Sequence, residues 1–261
     1  MILDQLASYA TQRVEAAKAH VPLEKIRDLA MDEKKGAFRF EQSLKRPGLS
    51  FICEIKKASP SKGVISPDFP YVSIAREYAA GGADCISCLT EPKWFLGSNE
   101  IFQEVRRTVF TPMLRKDFTV DEYQLYEAKL LGADAVLLLC SLLDTKTIEK
   151  YLSICDSMGI SALTEAHDEE EIQSAVSAGA RIIGINNRNL KDFSVDTSNA
   201  ARLRDKIPPN VLAVAESGIT SPEDVAAAAQ SGADAVLMGE VLMRLQNIPQ
   251  TLREFRRAAC V

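Results

Sequence analysis

A short pattern that recurs four times along the chain constrains its fold more than any other feature. In each copy, a glycine typical of a helix end is followed by a small residue, then usually by an aspartate, and then by a strand rich in aliphatic residues. Subtraction of their numbers separates the four glycines by 50, 47 and 53 residues, and each interval accommodates about two strand–helix units. The copies are GGADCISCL, LGADAVLLL, AGARIIGIN and SGADAVLMG, with their glycines at Gly82, Gly132, Gly179 and Gly232.

Four further apolar segments alternate with these copies and complete a set of eight predicted strands. They read SFICEIK, TPMLRKD, GISALTEA and NVLAVAESG. Helical patterns fill the gaps, as in SPEDVAAAAQSG, where Ser221 is a predicted N-cap and Pro222 the first helical residue. Near-continuous apolar strands indicate burial on both faces and therefore a parallel sheet.

Eight such units in about 210 residues predict an α/β protein, a closed (β/α)8 TIM barrel with an N-terminal helical extension. An open, doubly wound sheet is the alternative, but no GxGxxG follows the first strand to support it. The 261 residues are expected to form a single domain, with residues 1–45 as the helical extension and residues 46–261 as the barrel. Because the extension lies outside the eight repeats, we expect it to cover the mouth of the barrel.

Hydropathy, cysteine content and net charge argue against several classes of protein. No segment reaches the roughly 20 apolar residues of a membrane span, and the first residues lack the apolar centre of a signal peptide. Cys85 and Cys88 form a CxxC, but they would face opposite sides of a strand, and no Cys or His cluster completes a metal site. Reduced thiols in a cytoplasmic protein are therefore expected. A formal charge of −5 without a basic run argues against nucleic-acid binding.

Polar side chains collect where the predicted strands end, and in a (β/α)8 barrel those ends meet in one ring that holds the active site. Taken singly, each is more simply a solvated charge at a strand end. Taken together, three glutamates and two lysines in one ring shift one another's pKa values, which suits proton transfer near neutral pH. The residues are Glu54, Lys56, Arg115, Lys116, Asp117, Glu165, Asn186, Asn187, Arg188, Glu216 and Ser217.

Two glycines follow the last two strands and indicate a phosphate site. Gly218 lies in ESGI and Gly239 in MGEVLM, where backbone N–H groups can approach an anion. Barrels of this type often bind phosphate with these two loops. A single glycine would indicate only a turn, but two at the paired positions favour phosphate.

Five motifs, in order, give the chain a resemblance to a known family. EIKKASPSKG, LRKDF, LTEAHDEEE, GINNRNL and AESGI together resemble indole-3-glycerol phosphate synthase, in its stand-alone form, from about Ile2 to the end of the chain. The resemblance implies a lyase (a decarboxylase) of tryptophan and hence aromatic amino acid biosynthesis. Its substrate would be 1-(2-carboxyphenylamino)-1-deoxyribulose 5-phosphate, which closes a ring and loses CO2 and water to give indole-3-glycerol phosphate. It implies no metal and no organic cofactor.

The resemblance also implies roles for individual residues. Lys116 would be the general acid at the ribulose carbonyl oxygen, and Glu165 the acid/base for dehydration. Glu54 and Asn186 would orient hydroxyls and protons. The remaining substrate-binding residues would be Arg188 and Ser59 near the anthranilate carboxylate, Glu216 on the substrate, and Lys56, Ser217, Gly218, Gly239 and Glu240 at the phosphate end.

Two details of this assignment stay open in the sequence. Lys56 could serve the carboxylate or the phosphate, and the side chain of Glu240 must turn away from a phosphate that its backbone N–H binds. Trp94, Phe95 and Phe118 follow the second and third strands and could form apolar walls for the aryl ring, although loop packing explains them equally well.

Three other functions compete with this reading. A relative of phosphoribosylanthranilate isomerase would share the phosphate loops but would not need the lysines of KKASPSKG and RKDF together. A class I aldolase would use Lys116 as a Schiff-base nucleophile, and a non-catalytic scaffold would not need the polar ring. A monomer is expected, with a homodimer as the alternative.

Overall fold

A computed structural model describes residues 2–189, 193–244 and 247–260, and in it eight parallel strands close into a barrel. Each strand pairs with its neighbours in the chain, and the first closes on the eighth with Phe51 opposite Val236. The predicted (β/α)8 barrel is thereby confirmed. The first to eighth strands span Ser50–Ile55, Cys85–Leu89, Met113–Lys116, Ala135–Leu139, Ser161–Ala166, Ile182–Asn186, Leu212–Glu216 and Ala235–Met238.

Helices surround the strands and precede them. Within the described residues they are α1 Ile2–His20, α2 Leu23–Asp32, α3 Arg39–Leu44, α4 Tyr71–Ala80, α5 Asn99–Thr108, α6 Tyr123–Leu130, α7 Thr145–Met158, α8 Glu169–Ser177, α9 Ser198–Leu203, α10 Pro222–Gln230, α11 Glu240–Met243 and α12 Ile248–Ala258. The predicted cap is present, because Ser221 accepts a hydrogen bond from Asp224 N and Pro222 opens α10. No described helix is long and apolar enough to span a membrane.

The alternation of side chains along each strand produces two apolar layers. One fills the barrel interior, and the other lies between the strands and the surrounding helices. Cys85 belongs to the interior layer and Cys88 to the outer layer, as the CxxC spacing predicted. The cysteines are free thiols.

The N-terminal extension reaches both ends of the barrel. Ile2, Leu3 and Leu6 of α1 line a cavity at the carboxyl end of the strands, so this helix covers the mouth as expected. Phe40 and Leu44 of α3 instead pack into the barrel interior, fully buried, and close the amino end. The sequence did not predict this second contact, because α3 is only six residues long.

Candidate active site

A cavity of about 750 Å³ opens at the carboxyl ends of the strands. It is lined by residues from all eight barrel strands or the loops that follow them and from α1, so closure of the barrel brings distant segments together. Of the predicted site residues, it is lined by Glu54, Lys56, Ser59, Phe95, Lys116, Asp117, Phe118, Glu165, Asn186, Arg188, Glu216, Ser217, Gly218, Gly239 and Glu240.

Lys116 lies between two buried carboxylates. Its Nζ is 2.7 Å from Glu216 Oε2 and 3.4 Å from Glu165 Oε2. Burial alone would lower the pKa of Lys116, but the charges of Glu216, Glu165 and Glu54 outweigh burial and raise it above its ordinary value. Lys116 is therefore an ammonium at neutral pH and can donate a proton into the cavity.

The two carboxylates that hold Lys116 differ in their surroundings. Glu165 Oε1 accepts a hydrogen bond of 2.9 Å from Asn186 Nδ2, whereas Glu216 Oε1 is buried without a hydrogen-bond partner in the described part of the chain. For Glu165, burial favours the neutral form, but Lys116, His167 and Asn186 lower the pKa. Burial, together with the charges of Glu165 and Glu54, raises the pKa of Glu216 to about 7 against the pull of Lys116.

Glu54 and Lys56, one pleat apart on the first strand and the residue after it, form a direct ion pair in the cavity. Glu54 is 4% exposed. Its burial is outweighed by Lys56 and Lys116, which lower its pKa. An apolar strand thus carries a Glu and a Lys because both side chains face the mouth of the barrel.

Two glycines make room for these carboxylates. A Cβ on Gly184 of the sixth strand would collide with Glu216 Oε1, and a Cβ on Gly239 would collide with Glu54 Oε1. Larger residues at either position would displace the carboxylate that they face. Gly239 therefore has a role besides the phosphate contact predicted for it.

The loops after the seventh and eighth strands form one end of the cavity. Ser217, a non-glycine residue, has a left-handed φ of 68°, a conformation that is costly and concentrated at functional sites. The Glu240 side chain forms an ion pair of 3.3 Å with Arg244. Arg244 also lines the cavity. This arginine was not predicted as a site residue, although its spacing of four residues from Glu240 indicates an ion pair on a helix.

Apolar side chains also line the cavity. The rings of Phe95 and Phe118 lie 6.0 Å apart between centroids, and both line the cavity. Trp94 is not among the residues that line it; its ring packs at 5.7 Å against Tyr9 and at 4.5 Å against the Lys93 ammonium. Trp94 therefore packs against neighbouring side chains and does not line the cavity.

Arg115 and Asp117, which flank Lys116, are structural rather than part of the proton-transfer ring. Arg115 points away from the cavity and donates to Gln124 O at 3.0 Å. Asp117 accepts two hydrogen bonds, of 2.7 and 3.0 Å, from Arg13 of α1. The fixed positions of both neighbours hold the strand end that carries Lys116.

Two supporting residues were missed by sequence analysis. Arg13 joins α1 to Asp117, as described above, across 104 residues of chain. Glu91, fully buried, accepts hydrogen bonds from the backbone N–H groups of Lys93, Trp94 and Phe95 and so shapes the loop that carries Phe95. No motif marks either residue, because one pairs over a long distance and the other with backbone.

The comparisons with known proteins agree with this geometry. The sequence model described as indole-3-glycerol phosphate synthase matches residues 3–255. The chain belongs to the indole-3-glycerol phosphate synthase family. The predicted activity, a carboxy-lyase of tryptophan biosynthesis, is thereby confirmed.

Curated relatives that bear the family name match over nearly the whole chain. The indole-3-glycerol phosphate synthase of Ruminiclostridium cellulolyticum is 51% identical over 260 residues, covering 99% of this chain and 100% of the relative. That of Endomicrobium trichonymphae is 46% identical over 257 residues, covering 98% and 100%.

Solved structures with low identity share the fold alone. Thiamine phosphate pyrophosphorylase from Pyrococcus furiosus superposes with a TM-score of 0.62 at 17% identity, covering 84% of this chain and 97% of that one. A structure titled native KDPGal gives a TM-score of 0.56 at 15% identity, covering 82% and 94%. These two structures therefore support the barrel fold and carry no argument about function.

Proposed function

We propose that the cavity converts 1-(2-carboxyphenylamino)-1-deoxyribulose 5-phosphate to indole-3-glycerol phosphate, with Lys116 as the acid for ring closure. The observation that carries this proposal is the ammonium of Lys116 held between Glu216 and Glu165 inside the cavity. The aryl carbon that bears the carboxylate attacks a ketone readily only when the ketone oxygen receives a proton. Lys116 supplies that proton, and loss of CO2 restores the aromatic ring.

Dehydration then needs a second acid and a base. Glu165 fills this role, because Asn186 fixes one of its oxygens and Lys116 lies close to the other. Glu216, with a pKa of about 7, exchanges a proton near neutral pH and contacts the same substrate carbon skeleton. Glu54 orients hydroxyl groups from the opposite side of the cavity.

The two ends of the substrate carry negative charge and need separate partners. The phosphate lies against Ser217 and the backbone of Gly218, Gly239 and Glu240, a placement supported by the ion pair that turns the Glu240 carboxylate toward Arg244. The anthranilate carboxylate lies near Arg188 and Ser59, which border the same cavity.

Lys56 and the aromatic wall complete the site. Lys56 lies beside Glu54 and supplies positive charge between the two anionic ends of the substrate. Phe95 and Phe118 bracket the aryl ring, because their side chains provide the apolar surface of the cavity. No cofactor takes part in these steps.

The remaining assignments concern the whole molecule. The chain forms one domain, residues 1–45 serving as the extension and residues 46–261 as the barrel, and the contacts of α1 and α3 with the barrel support this division. We place the protein in the cytoplasm as a monomer, with a homodimer as the alternative, and we expect no nucleic-acid partner because the net charge is −5.

An assay for indole fluorescence tests the proposal directly. The purified chain is mixed with the carboxyphenylamino-deoxyribulose phosphate, and in parallel with phosphoribosylanthranilate. We expect indole fluorescence and stoichiometric CO2 from the first compound and no product from the second. Lys150→Ala is the matched control for the substitution of Lys116, because among the described residues Lys150 pairs with Glu122 at the surface. Turnover of phosphoribosylanthranilate alone would overturn the proposal.

A further inference from the structure

Asn187 directly follows the sixth strand, and the proposed chemistry gives it no role. It was predicted to belong to the ring of polar residues at the strand ends. The structure buries it to 4% exposure, and it is not among the residues that line the cavity of about 750 Å³, although its neighbours Asn186 and Arg188 are. Any effect of Asn187 on the substrate must therefore pass through the residues that it holds.

Four hydrogen bonds, each of 2.9 Å, fix Asn187 between the loops after the sixth and seventh strands. Its backbone N–H donates to Glu216 O, and its backbone carbonyl accepts from Asp196 N. Its side-chain Oδ1 accepts from Ala200 N, and its Nδ2 donates to Ser217 O. Exchange of Oδ1 and Nδ2 would set donor against donor and acceptor against acceptor, so these partners permit only one orientation of the amide.

The hydrogen bond to Ser217 O orients a peptide group of the predicted phosphate loop. The peptide bond between Ser217 and Gly218 is trans, so its C=O and N–H point in opposite directions. Because the C=O points to Asn187, the N–H points away from it, and both Ser217 and Gly218 line the cavity. Within the described residues, the Gly218 N–H has no hydrogen-bond acceptor. It can therefore donate to a bound anion.

The backbone on both sides of this peptide group is left-handed. The φ angle is 68° at Ser217 and 79° at Gly218. A rotation of the peptide group would exchange the directions of its C=O and N–H, and glycine tolerates the change in φ that this rotation requires. A carbonyl oxygen would then face the anion in place of the N–H. The hydrogen bond from Asn187 opposes this rotation.

The loop that begins at Asn187 also packs against Gly218. A Cβ on Gly218 would lie 2.6 Å from Thr197 Cγ2 and 2.9 Å from Val195 Cγ1. Both of these side chains line the cavity. The absence of a side chain at Gly218 thus lets this loop approach the backbone closely, while Asn187 sets the direction of the peptide group.

We propose that Asn187 is a positioning residue for the substrate phosphate: it holds the Ser217 carbonyl so that the Gly218 N–H points at the phosphate. Asn187 itself does not touch the substrate, and the inference rests on the phosphate placement in the proposed function. A phosphate oxygen supplies the acceptor that the Gly218 N–H lacks among the described residues. Hydrogen bonds to an ionised acceptor are stronger than neutral ones, so the direction of this N–H affects binding.

The test compares the substrate with its dephosphorylated form. In Asn187→Ala, we expect KM for the phosphorylated substrate to rise about 10-fold, the scale for one lost hydrogen bond to a charged group, with kcat nearly unchanged. The Ki of inorganic phosphate as a competitive inhibitor should rise by the same factor. For the dephosphorylated substrate, kcat/KM should be equal in the variant and the wild type, because that compound offers no phosphate to the Gly218 N–H.

A second variant separates the hydrogen bond to Ser217 from general packing. Asn187→Asp keeps the size of the side chain and the acceptor for Ala200 N, but its carboxylate has no donor for Ser217 O. It should raise KM and Ki at least as much as Asn187→Ala. Asn199→Ala is the matched control, because Asn199 is 8% exposed and donates to two other backbone carbonyls. This control should keep the wild-type ratio of kcat/KM between the two substrates.

Equal losses of kcat/KM for both substrates in the Asn187 variants would overturn the inference, because they would indicate a loosened loop. An unchanged KM and Ki would overturn it as well. In either case, a wild type that strongly prefers the phosphorylated substrate leaves the proposed phosphate site intact. A wild type that uses both compounds equally well would overturn the phosphate site and, with it, the role of Asn187.

Discussion

The two ends of the barrel each bury a glutamate but surround it differently. At the amino end, Glu41 accepts hydrogen bonds of 2.6 Å from Lys45 and 2.8 Å from Arg181, and these partners outweigh its burial and lower its pKa. At the carboxyl end, Glu216 has one oxygen on Lys116 and the other without a partner in the described residues, and its pKa is raised to about 7.

This difference shows how one fold separates stability from chemistry. Where both carboxylate oxygens are satisfied, the group stays ionised and contributes to the free energy of unfolding. Where one oxygen is left buried and unpaired, the group costs stability and can exchange a proton near neutral pH. Substitutions at the two ends should therefore change different measured quantities.

The largest effect is expected at Lys116. Lys116→Ala should lower kcat by at least about 100-fold, the scale for losing a positioned acid, with only a small change in KM. Steady-state indole formation measures both. Borohydride added with substrate should leave the wild type unmodified in intact-mass spectra, and an adduct of substrate mass on Lys116 would favour the aldolase mechanism.

Arg188 should affect binding rather than the chemical step. Arg188→Ala should raise KM for the full substrate by roughly 10- to 100-fold, because an arginine–carboxylate pair is lost. An analogue without the anthranilate carboxylate should bind the variant and the wild type with similar affinity. Equal losses for both compounds would show that Arg188 does not recognise that group.

The dependence of stability on pH should have opposite signs at the two glutamates. The raised pKa of Glu216 means that the folded state binds its proton more tightly, so its contribution to stability is present below about pH 4.3 and is lost as pH rises toward 7. Glu216→Gln, which carries no charge at any pH, should therefore gain stability relative to the wild type as pH rises through this range.

Glu41 should show the reverse. Because the pKa of Glu41 is lower in the folded state than in the unfolded state, its carboxylate stabilises the fold at pH values above the unfolded-state pKa. This contribution to stability is lost as pH falls through the folded-state pKa. Glu41→Gln should be less stable than the wild type at pH 7 and should match it in acid. Urea unfolding of both variants across pH measures these differences, and parallel profiles would contradict the comparison.

The smallest effects are expected at the arginines that support each end. Arg181→Ala should cost about 1 kcal/mol of stability, because Arg181 is partly exposed, and should leave kcat unchanged. Arg13→Ala should instead raise KM several-fold, since α1 covers the cavity and Arg13 holds it to Asp117. Lys18→Ala, which breaks the neighbouring ion pair with Asp121, is the control for Arg13.

The barrel was predictable because its signals are local and repeated. Each glycine before a strand, at Gly82, Gly132, Gly179 and Gly232, marks a helix end irrespective of the rest of the chain. The ring of polar residues followed from topology, since parallel strands bring their carboxyl ends together. Two short elements were not predicted, because neither is long enough to show a periodic pattern. They are α3, which closes the amino end of the barrel, and the hairpin that pairs Ala58–Ser59 with Gly63–Val64.

The supporting contacts were not predictable for a different reason. His167 lies in the LTEAH motif, but its contact with Glu171 requires the fifth strand to end where α8 begins. Arg13 and Asp117 are too distant in sequence for any pattern to pair them. The sequence also could not decide whether Trp94 faces substrate or loop, because both uses require the same apolar ring.

The central claim is that carboxylates at the mouth keep Lys116 an ammonium, and NMR titration of its side chain tests this most directly. Selective labelling of lysine at Cε and Nζ, with Lys116→Arg to assign the signal, follows its charge as pH rises. The account predicts that Lys116 stays charged beyond the ordinary lysine pKa of about 10.4, because Glu216, Glu165 and Glu54 surround it. A signal showing that the Lys116 amine loses its proton below that pH would contradict the central claim.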